Sequence, residues 1–300
     1  MNAPVIEINQ VTRYYGEVLA VDNISFNIEQ GETLGLIGHN GAGKSTLFKM
    51  MLGLIPVSAG EIRINNTVLH GNAFRELRRS IGYLPENVVF YDNLTGLETL
   101  QFFAAIKDCD TKECMPLLNQ VGLNHAANRL VSGYSKGMRQ RLGFAQALLG
   151  NPRILFLDEP TNGLDPEAIR EFYKVLQKLN QQGVTVIITS HILSEIQQRV
   201  QRLAVMRNGK LHAMGTVQEL RESVDLPLII QLRCHHQTNL DEVLRDIPSE
   251  HKSINGHHAE IHIQRRWKME LLRRLGTQTG IEDIVVHEPT LEDIFLGYSG

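Results

Sequence analysis

The stretch Gly38-His39-Asn40-Gly41-Ala42-Gly43-Lys44-Ser45 fits the pattern G-x-x-x-x-G-K-[ST] at every position. It follows a nearly continuous apolar run, Leu34-Gly35-Leu36-Ile37, which reads as a strand buried on both faces. It precedes a helix-forming stretch, residues 46–52. A strand feeding a Gly-rich loop and then a helix is the setting in which backbone N–H groups turn inward around phosphate oxygens. The positive end of the helix dipole adds to that pull. Gly38, Asn40, Gly41, Ala42, Gly43, Lys44, Ser45 and Thr46 are therefore the candidate nucleotide contacts. Lys44 is expected to reach the β- and γ-phosphates, and the Ser45 hydroxyl to help hold Mg²⁺. An ordinary Gly-rich turn is the competing reading, and the flanking strand and helix argue against it.

Working outward, Ile154-Leu155-Phe156-Leu157 is a second buried-strand run and ends in Asp158-Glu159-Pro160. A carboxylate at the end of such a strand beside a phosphate loop is placed for Mg²⁺, the role expected of Asp158. Glu159 is the candidate base that polarises the attacking water, making Lys44 and Glu159 catalytic candidates. A third apolar run, Val184-Thr185-Val186-Ile187-Ile188, follows a helical pattern over residues 168–179, and alternating strand patterns occur at 5–8 and 24–28. Strands alternating with helices predict an α/β domain with a mainly parallel sheet. Between about Ser80 and Leu149 helical patterns dominate (97–106, 115–121 and 137–149), which predicts an α-helical insertion without strands.

A second domain is expected after the boundary Asp225-Leu226-Pro227, itself preceded by a short helix over 217–223. The pattern is strand 228–232, helix 240–246, a strand pair 252–254 and 259–263 around Asn255-Gly256, helix 267–276 and strand 281–287. This is a small α+β, ferredoxin-like arrangement. The expected division is residues 1–220, with the helical subdomain at about 80–150, and residues 226–300.

The composition restricts the function. In 300 residues, 42% are hydrophobic and 21% charged, which suits two globular domains. The net charge of -3 offers no basic excess, so no nucleic-acid partner is expected. No apolar run approaches the ~18 residues of a membrane helix, and the opening MNAPVIEINQ lacks a signal-peptide pattern. Cys109, Cys114 and Cys234 are too few and scattered for a disulfide framework, so they read as reduced thiols. A soluble chain is expected.

The segment Tyr134-Ser135-Lys136-Gly137-Met138-Arg139-Gln140-Arg141 lies about 20 residues before Asp158 and stands where ABC transporter ATP-binding subunits carry L-S-G-G-Q. On this segment and the two phosphate motifs, residues 5–220 resemble that family: a P-loop ABC ATPase cassette with an α-helical subdomain insertion. The resemblance implies ATP and Mg²⁺ as ligands and in-line hydrolysis by water. It also implies a homodimer of cassettes in which Ser135 and Gly137 face ATP bound by the opposite subunit. Tyr134, Lys136 and Met138 depart from the motif. In the same likeness Asn162-Gly163-Leu164-Asp165 is the D-loop, with Asp165 beside the nucleotide, and His191 is the switch histidine at the γ-phosphate. Tyr15 matches the aromatic that stacks on adenine, and Glu86 stands at the Q-loop glutamine position as a further Mg²⁺ ligand.

A single cassette without a membrane span implies a separate multi-span ABC permease, docking near residues 88–100 with Phe90 and Tyr91 at the contact. The expected location is peripheral, on the cytoplasmic face of the inner membrane. The strings Gly82–Tyr91 and Tyr134–Gly143 resemble the ATPase of the copper ABC exporter that serves nitrous oxide reductase maturation. That resemblance implies a periplasmic accessory protein reached through the permease. Two alternatives stay open: the ATPase of a type-2 multidrug or other small-molecule exporter, and a soluble ABC ATPase acting on ribosome or DNA. Cys234-His235-His236 and His257-His258 with His262 offer metal-ligand types, although adjacent strand residues point to opposite faces and a His-rich surface is the simpler reading. Arg265-Arg266-Trp267-Lys268 likewise reads as a solvated helix start. The ending Pro289–Leu296 resembles that of type-2 exporter ATPases and supports a dimerisation or regulatory role for the second domain.

Overall fold

A computed structural model describes residues 4–191, 193–223, 226–234, 248–255, 257–277 and 280–289. The chain divides into two compact units, Met1–Thr216 and Val217–Gly300. In chain order the first contains β1 (Ile6–Tyr15), β2 (Val18–Ile28), β3 (Thr33–Ile37), α1 (Lys44–Met51), β4 (Ala59–Ile64), β5 (Thr67–Val68), α2 (Gly71–Leu77) and β6 (Ile81–Leu84). Then come α3 (Gly96–Lys107), α4 (Cys114–Gln120), α5 (Lys136–Leu148), β7 (Ile154–Asp158), α6 (Pro166–Gln181), β8 (Thr185–Ser190), α7 (Leu193–Ile196), β9 (Arg202–Arg207) and β10 (Lys210–Gly215).

Six of these strands form one sheet in the order β10-β9-β3-β8-β7-β6. All its pairings are parallel except β9 with β10. Every residue of β3, β7 and β8 is buried, which is why these strands read as unbroken apolar runs rather than alternating ones. Ligands of such sheets bind beyond the carboxyl ends of the strands. There β3 leads to the phosphate loop, β7 to Asp158 and β8 to His191. Beneath the loop, Phe48 of α1 packs edge-on against Phe156 of β7, with ring centroids 5.2 Å apart.

Two features correct the sequence expectation. The helical insertion begins after β6, not at Ser80: β6 pairs parallel with β7 as the sheet edge. Four residues including a glycine are too short a run to register as a strand among helical neighbours. A separate antiparallel sheet, ordered β2-β1-β4-β5, stands beside the parallel one. The insertion itself is held by caps. Thr95 and Glu98 form a reciprocal capping box at the start of α3 and Ser135 caps α5, while outside the insertion Asp165 with Pro166 opens α6.

The second unit contains α8 (Val217–Ser223), β11 (Leu228–Cys234), β12 (Ser249–Asn255), β13 (His258–Ile263), α9 (Lys268–Gly276) and β14 (Ile281–His287). Its antiparallel sheet runs β12-β13-β11-β14, the order of a split β-α-β fold. Leu228, Ile230 and Leu232 alternate inward to meet Ile261, Ile263 and Leu271. The expected helix 240–246, His235, His236, Gly256 and residues 290–296 lie outside the described residues. Among the described residues no helix is long and apolar enough to cross a membrane.

Candidate nucleotide site

Gly43 precedes α1 with φ 97°, a left-handed conformation that glycine adopts without strain. Lys44 is buried to 8% exposure and donates from Nζ to the carbonyl oxygens of Gly38 (2.6 Å) and His39 (3.2 Å). The loop is thus closed on its own ammonium, a donor held in a fixed direction. Burial pulls the Lys44 ammonium below its ordinary value, opposed by the charges of Glu159, Asp158 and Glu86. Those three carboxylates, from the ends of two strands, act on one cation. Ala42 is buried and its N–H returns to the His39 carbonyl at 3.1 Å, while Asn40, Gly41 and Ser45 are exposed and Thr46 is half-buried.

At the end of β7, Asp158 is buried and its Oδ1 accepts a 2.6 Å bond from Thr189 Oγ1. The Glu159 N–H donates to the same Thr189 oxygen at 2.9 Å. Glu159 has φ 47°, left-handed for a residue with a side chain. Its Oε2 lies 2.7 Å from His191 Nδ1, which carries the proton of that bond because an ionised carboxylate only accepts. Buried Gln140 of α5 donates to the Pro160 carbonyl at 3.0 Å and ties the helical insertion to this turn.

The signature segment forms a second cluster. Ser135 caps α5 by accepting from Met138 N at 3.2 Å. The stem of Lys136 covers Gly163, where an added Cβ would lie 2.7 Å from Lys136 Cδ, and a Cβ on Gly137 would lie 3.1 Å from the Gly163 carbonyl. Asp165 accepts from Glu167 N and Ala168 N at 3.1 and 2.8 Å. Tyr15, at the end of β1, is 45% exposed and lies under the Arg13 guanidinium at 4.7 Å. The structure therefore gathers Lys44, Glu86, Asp158, Glu159 and His191, and brings Gly137, two residues after Ser135, against Gly163 in the turn that leads to Asp165.

The sequence profile of the ABC transporter family matches residues 21–162. The chain is 36% identical to the bacitracin transport ATP-binding protein BcrA of Bacillus licheniformis, over 99% of this chain and 97% of that one. The chain belongs to the ABC transporter ATP-binding family. A second profile, the C-terminal domain of DrrA1-3-like ATP-binding proteins, matches residues 215–299. The linearmycin resistance ATP-binding protein LnrL of Bacillus subtilis is 29% identical over 99% of this chain and 98% of its own. Among solved structures, an ATP-binding subunit of an ABC transporter superposes with a TM-score of 0.67 at 30% identity, covering 73% of this chain and 92% of that one. A dimeric cassette in a post-hydrolysis state with ADP and Pi gives 0.65 at 27%, covering 71% and 98%. The fold is that of the P-loop ABC ATPase cassette, and the chain binds and hydrolyses ATP.

In this cassette the hydroxyl of Ser45 and the carboxylates of Asp158 and Glu86 are hard oxygen donors, the ligand chemistry that suits Mg²⁺. Sequence reasoning missed Thr189, Gln140 and Tyr83. Thr189 gave no distinct signal, being one of two polar residues, with Ser190, at the end of β8. Tyr83 carried none; burial, then the charges of Asp158 and Glu86, push its phenol up to about 12. In the C-terminal unit His262 bonds Glu260, His257 the Cys234 carbonyl and His287 the Gln231 amide. Among the described residues no group of three or more His, Cys, Asp or Glu is arranged to hold a metal.

Proposed function

We propose that the chain is the ATPase subunit of a type-2 exporter, working as a homodimer on the cytoplasmic side of a separate membrane permease that moves a small-molecule antibiotic or a related compound. One observation carries this reading. The likeness to the bacitracin transport and linearmycin resistance proteins runs through nearly the whole of both chains and includes the C-terminal module. The copper reading of residues 82–91 and 134–143 gains no support from these relatives and stands second. The proposed permease contact is the exposed aromatic edge of the insertion. There Val89 and Tyr91 project and Tyr91 meets Phe102 edge-on at 5.8 Å, whereas Phe90 turns in toward Phe103. The C-terminal unit is proposed to pair or regulate the two subunits.

Within each cassette Tyr15 stacks on adenine, and the backbone from Gly38 to Thr46 with Lys44 takes the phosphates. Ser45, Asp158 and Glu86 hold Mg²⁺, which when bound neutralises charge on the β- and γ-oxygens. Glu159, held by His191, accepts the proton of the attacking water. The other edge of the His191 ring, Nε2, is turned to the γ-phosphate. Ser135 and Gly137, at the positive end of α5, address the nucleotide of the partner cassette across the Asp165 turn.

The test is deletion of the gene in its own host. Raised susceptibility to bacitracin or linearmycin, restored by the wild-type chain and not by Lys44→Ala, is the expected result. A copper-deficient nitrous oxide reductase with unchanged susceptibility would instead favour the second reading.

A further inference from the structure

We infer that Thr189 is the positioning residue of the hydrolytic site, its one hydroxyl holding both Asp158 and Glu159 in working orientation. This rests on the roles proposed above for those two carboxylates. Thr189 is fully buried near the end of β8, directly opposite Asp158 in the parallel register with β7. An ionised carboxylate only accepts hydrogen bonds, so the 2.6 Å contact with Asp158 Oδ1 takes the hydroxyl's proton. The hydroxyl oxygen is then left to accept the Glu159 N–H at 2.9 Å. The polarity of the chain, amide to hydroxyl to carboxylate, is fixed by that count of hydrogens.

The two bonds do different work. The first orients Asp158 by one oxygen. The second anchors the backbone of Glu159, which sits at φ 47°, a conformation that a residue with a side chain holds only when its surroundings enforce it. Two residues further along the same strand end, His191 grips the Glu159 carboxylate at 2.7 Å. The end of β8 therefore clamps Glu159 at both its amide and its carboxylate, and Asp158 through the same hydroxyl. A bland role exists as well, since a β-branched residue packs well in a buried strand. Valine would fill that role equally and has no hydroxyl.

The experiment compares Thr189→Val and Thr189→Ser in the full-length chain, with Asp158→Asn alongside. The readouts are kcat and KM for ATP, the Mg²⁺ concentration at half-maximal rate, and binding of a fluorescent ADP with and without Mg²⁺. Thr189→Val is expected to lower kcat by about 10- to 100-fold, the effect of leaving two buried polar groups unpaired. It should lose the affinity that Mg²⁺ adds, while Mg²⁺-free ADP binding stays within about twofold. Thr189→Ser keeps both bonds and is expected to retain kcat within about threefold. Should the valine variant fail to fold, Thr189→Ala removes the same hydroxyl without setting a methyl against the two polar groups, and carries the same expectations. A serine variant as poor as the valine one would assign Thr189 to packing and overturn the inference. So would a valine variant with unchanged kcat and Mg²⁺ response beside an impaired Asp158→Asn. An Asp158→Asn variant with a normal Mg²⁺ response would overturn the site reading itself, and the inference with it.

Discussion

The turn after β7 and the start of α5 both present polar groups proposed to meet nucleotide, yet they are held in opposite ways. In the turn, Asp158 is fixed by Thr189, Glu159 at its amide and its carboxylate, and the Pro160 carbonyl by Gln140. At the start of α5, Ser135 is bonded within its own helix and Lys136 is exposed, resting only its stem on Gly163. Carboxylates fixed in advance by hydrogen bonds to their neighbours are preorganised and lose little on reaction. An exposed helix start gains value only when a second surface removes it from water. The difference teaches that one half of the proposed chemistry is built inside the chain and the other half is offered outward.

The largest effect should come from the buried half. Glu159→Gln keeps the shape of the side chain and removes the proton acceptor, so turnover is expected to fall by about 10²- to 10⁴-fold. Binding of a fluorescent ATP should persist. Phosphate release against nucleotide titration reads both, and a loss of binding as large as the loss of turnover would make the turn a binding element rather than a reactive one. The outward half should respond more weakly. Ser135→Ala removes a helix cap worth about 1 kcal/mol and the proposed contact across the dimer, for an expected tenfold or so in turnover. Nucleotide affinity of the dilute chain should be unchanged. If the defect does not depend on protein concentration, Ser135 serves only its own helix, and the contrast between the two regions fails.

Much of the buried half was legible in the sequence, because parallel strands covered on both faces write continuous apolar runs that break off where a loop or a carboxylate begins. Ile154–Leu157 before Asp158 and Leu34–Ile37 before Gly38 are such runs. β6 was not legible, since four residues at a sheet edge are defined by their pairing with β7 and not by their own pattern. The first antiparallel sheet was half visible: the patterns at 5–8 and 24–28 fell on β1 and β2, but the two-residue β5 gives no periodicity at all. The motif residues were readable one by one. Thr189 was not, because a threonine in a buried strand is ordinary until its partners are known. Tyr134 read as a departure from a motif, and only the structure gives its reason.

A smaller effect tests the edge of the site. Tyr15 is exposed and already covered on one face by Arg13. Its loss should therefore cost a single base–aromatic contact of about 1 kcal/mol. Tyr15→Ala is expected to raise half-saturating ATP by about fivefold with kcat unchanged, and Tyr15→Phe to have no effect. An equal loss in the phenylalanine variant would mean that the hydroxyl, not the ring, makes the contact.

The smallest effect on turnover, and the one that isolates packing beneath the signature segment, concerns Tyr134 and Gly96. The Tyr134 hydroxyl is buried and donates to the Ala126 carbonyl at 2.8 Å, and burial raises the phenol above its ordinary value. Space for that hydroxyl exists only because residue 96 has no side chain, since a Cβ there would lie 2.1 Å from it. Tyrosine in the motif and glycine at the first position of α3 are thus one choice made at two places. Gly96→Ala is expected to cost about 1–3 kcal/mol in thermal unfolding through overpacking. Tyr134→Leu removes the hydroxyl and should cost about 2 kcal/mol for the carbonyl left unpaired and the space left unfilled. In the double variant the alanine enters the space the phenol vacates, so the costs should fall short of their sum by at least about 1 kcal/mol. Additive costs would mean that α3 shifts to accept the alanine, and the pairing of tyrosine with glycine would then carry no energetic weight.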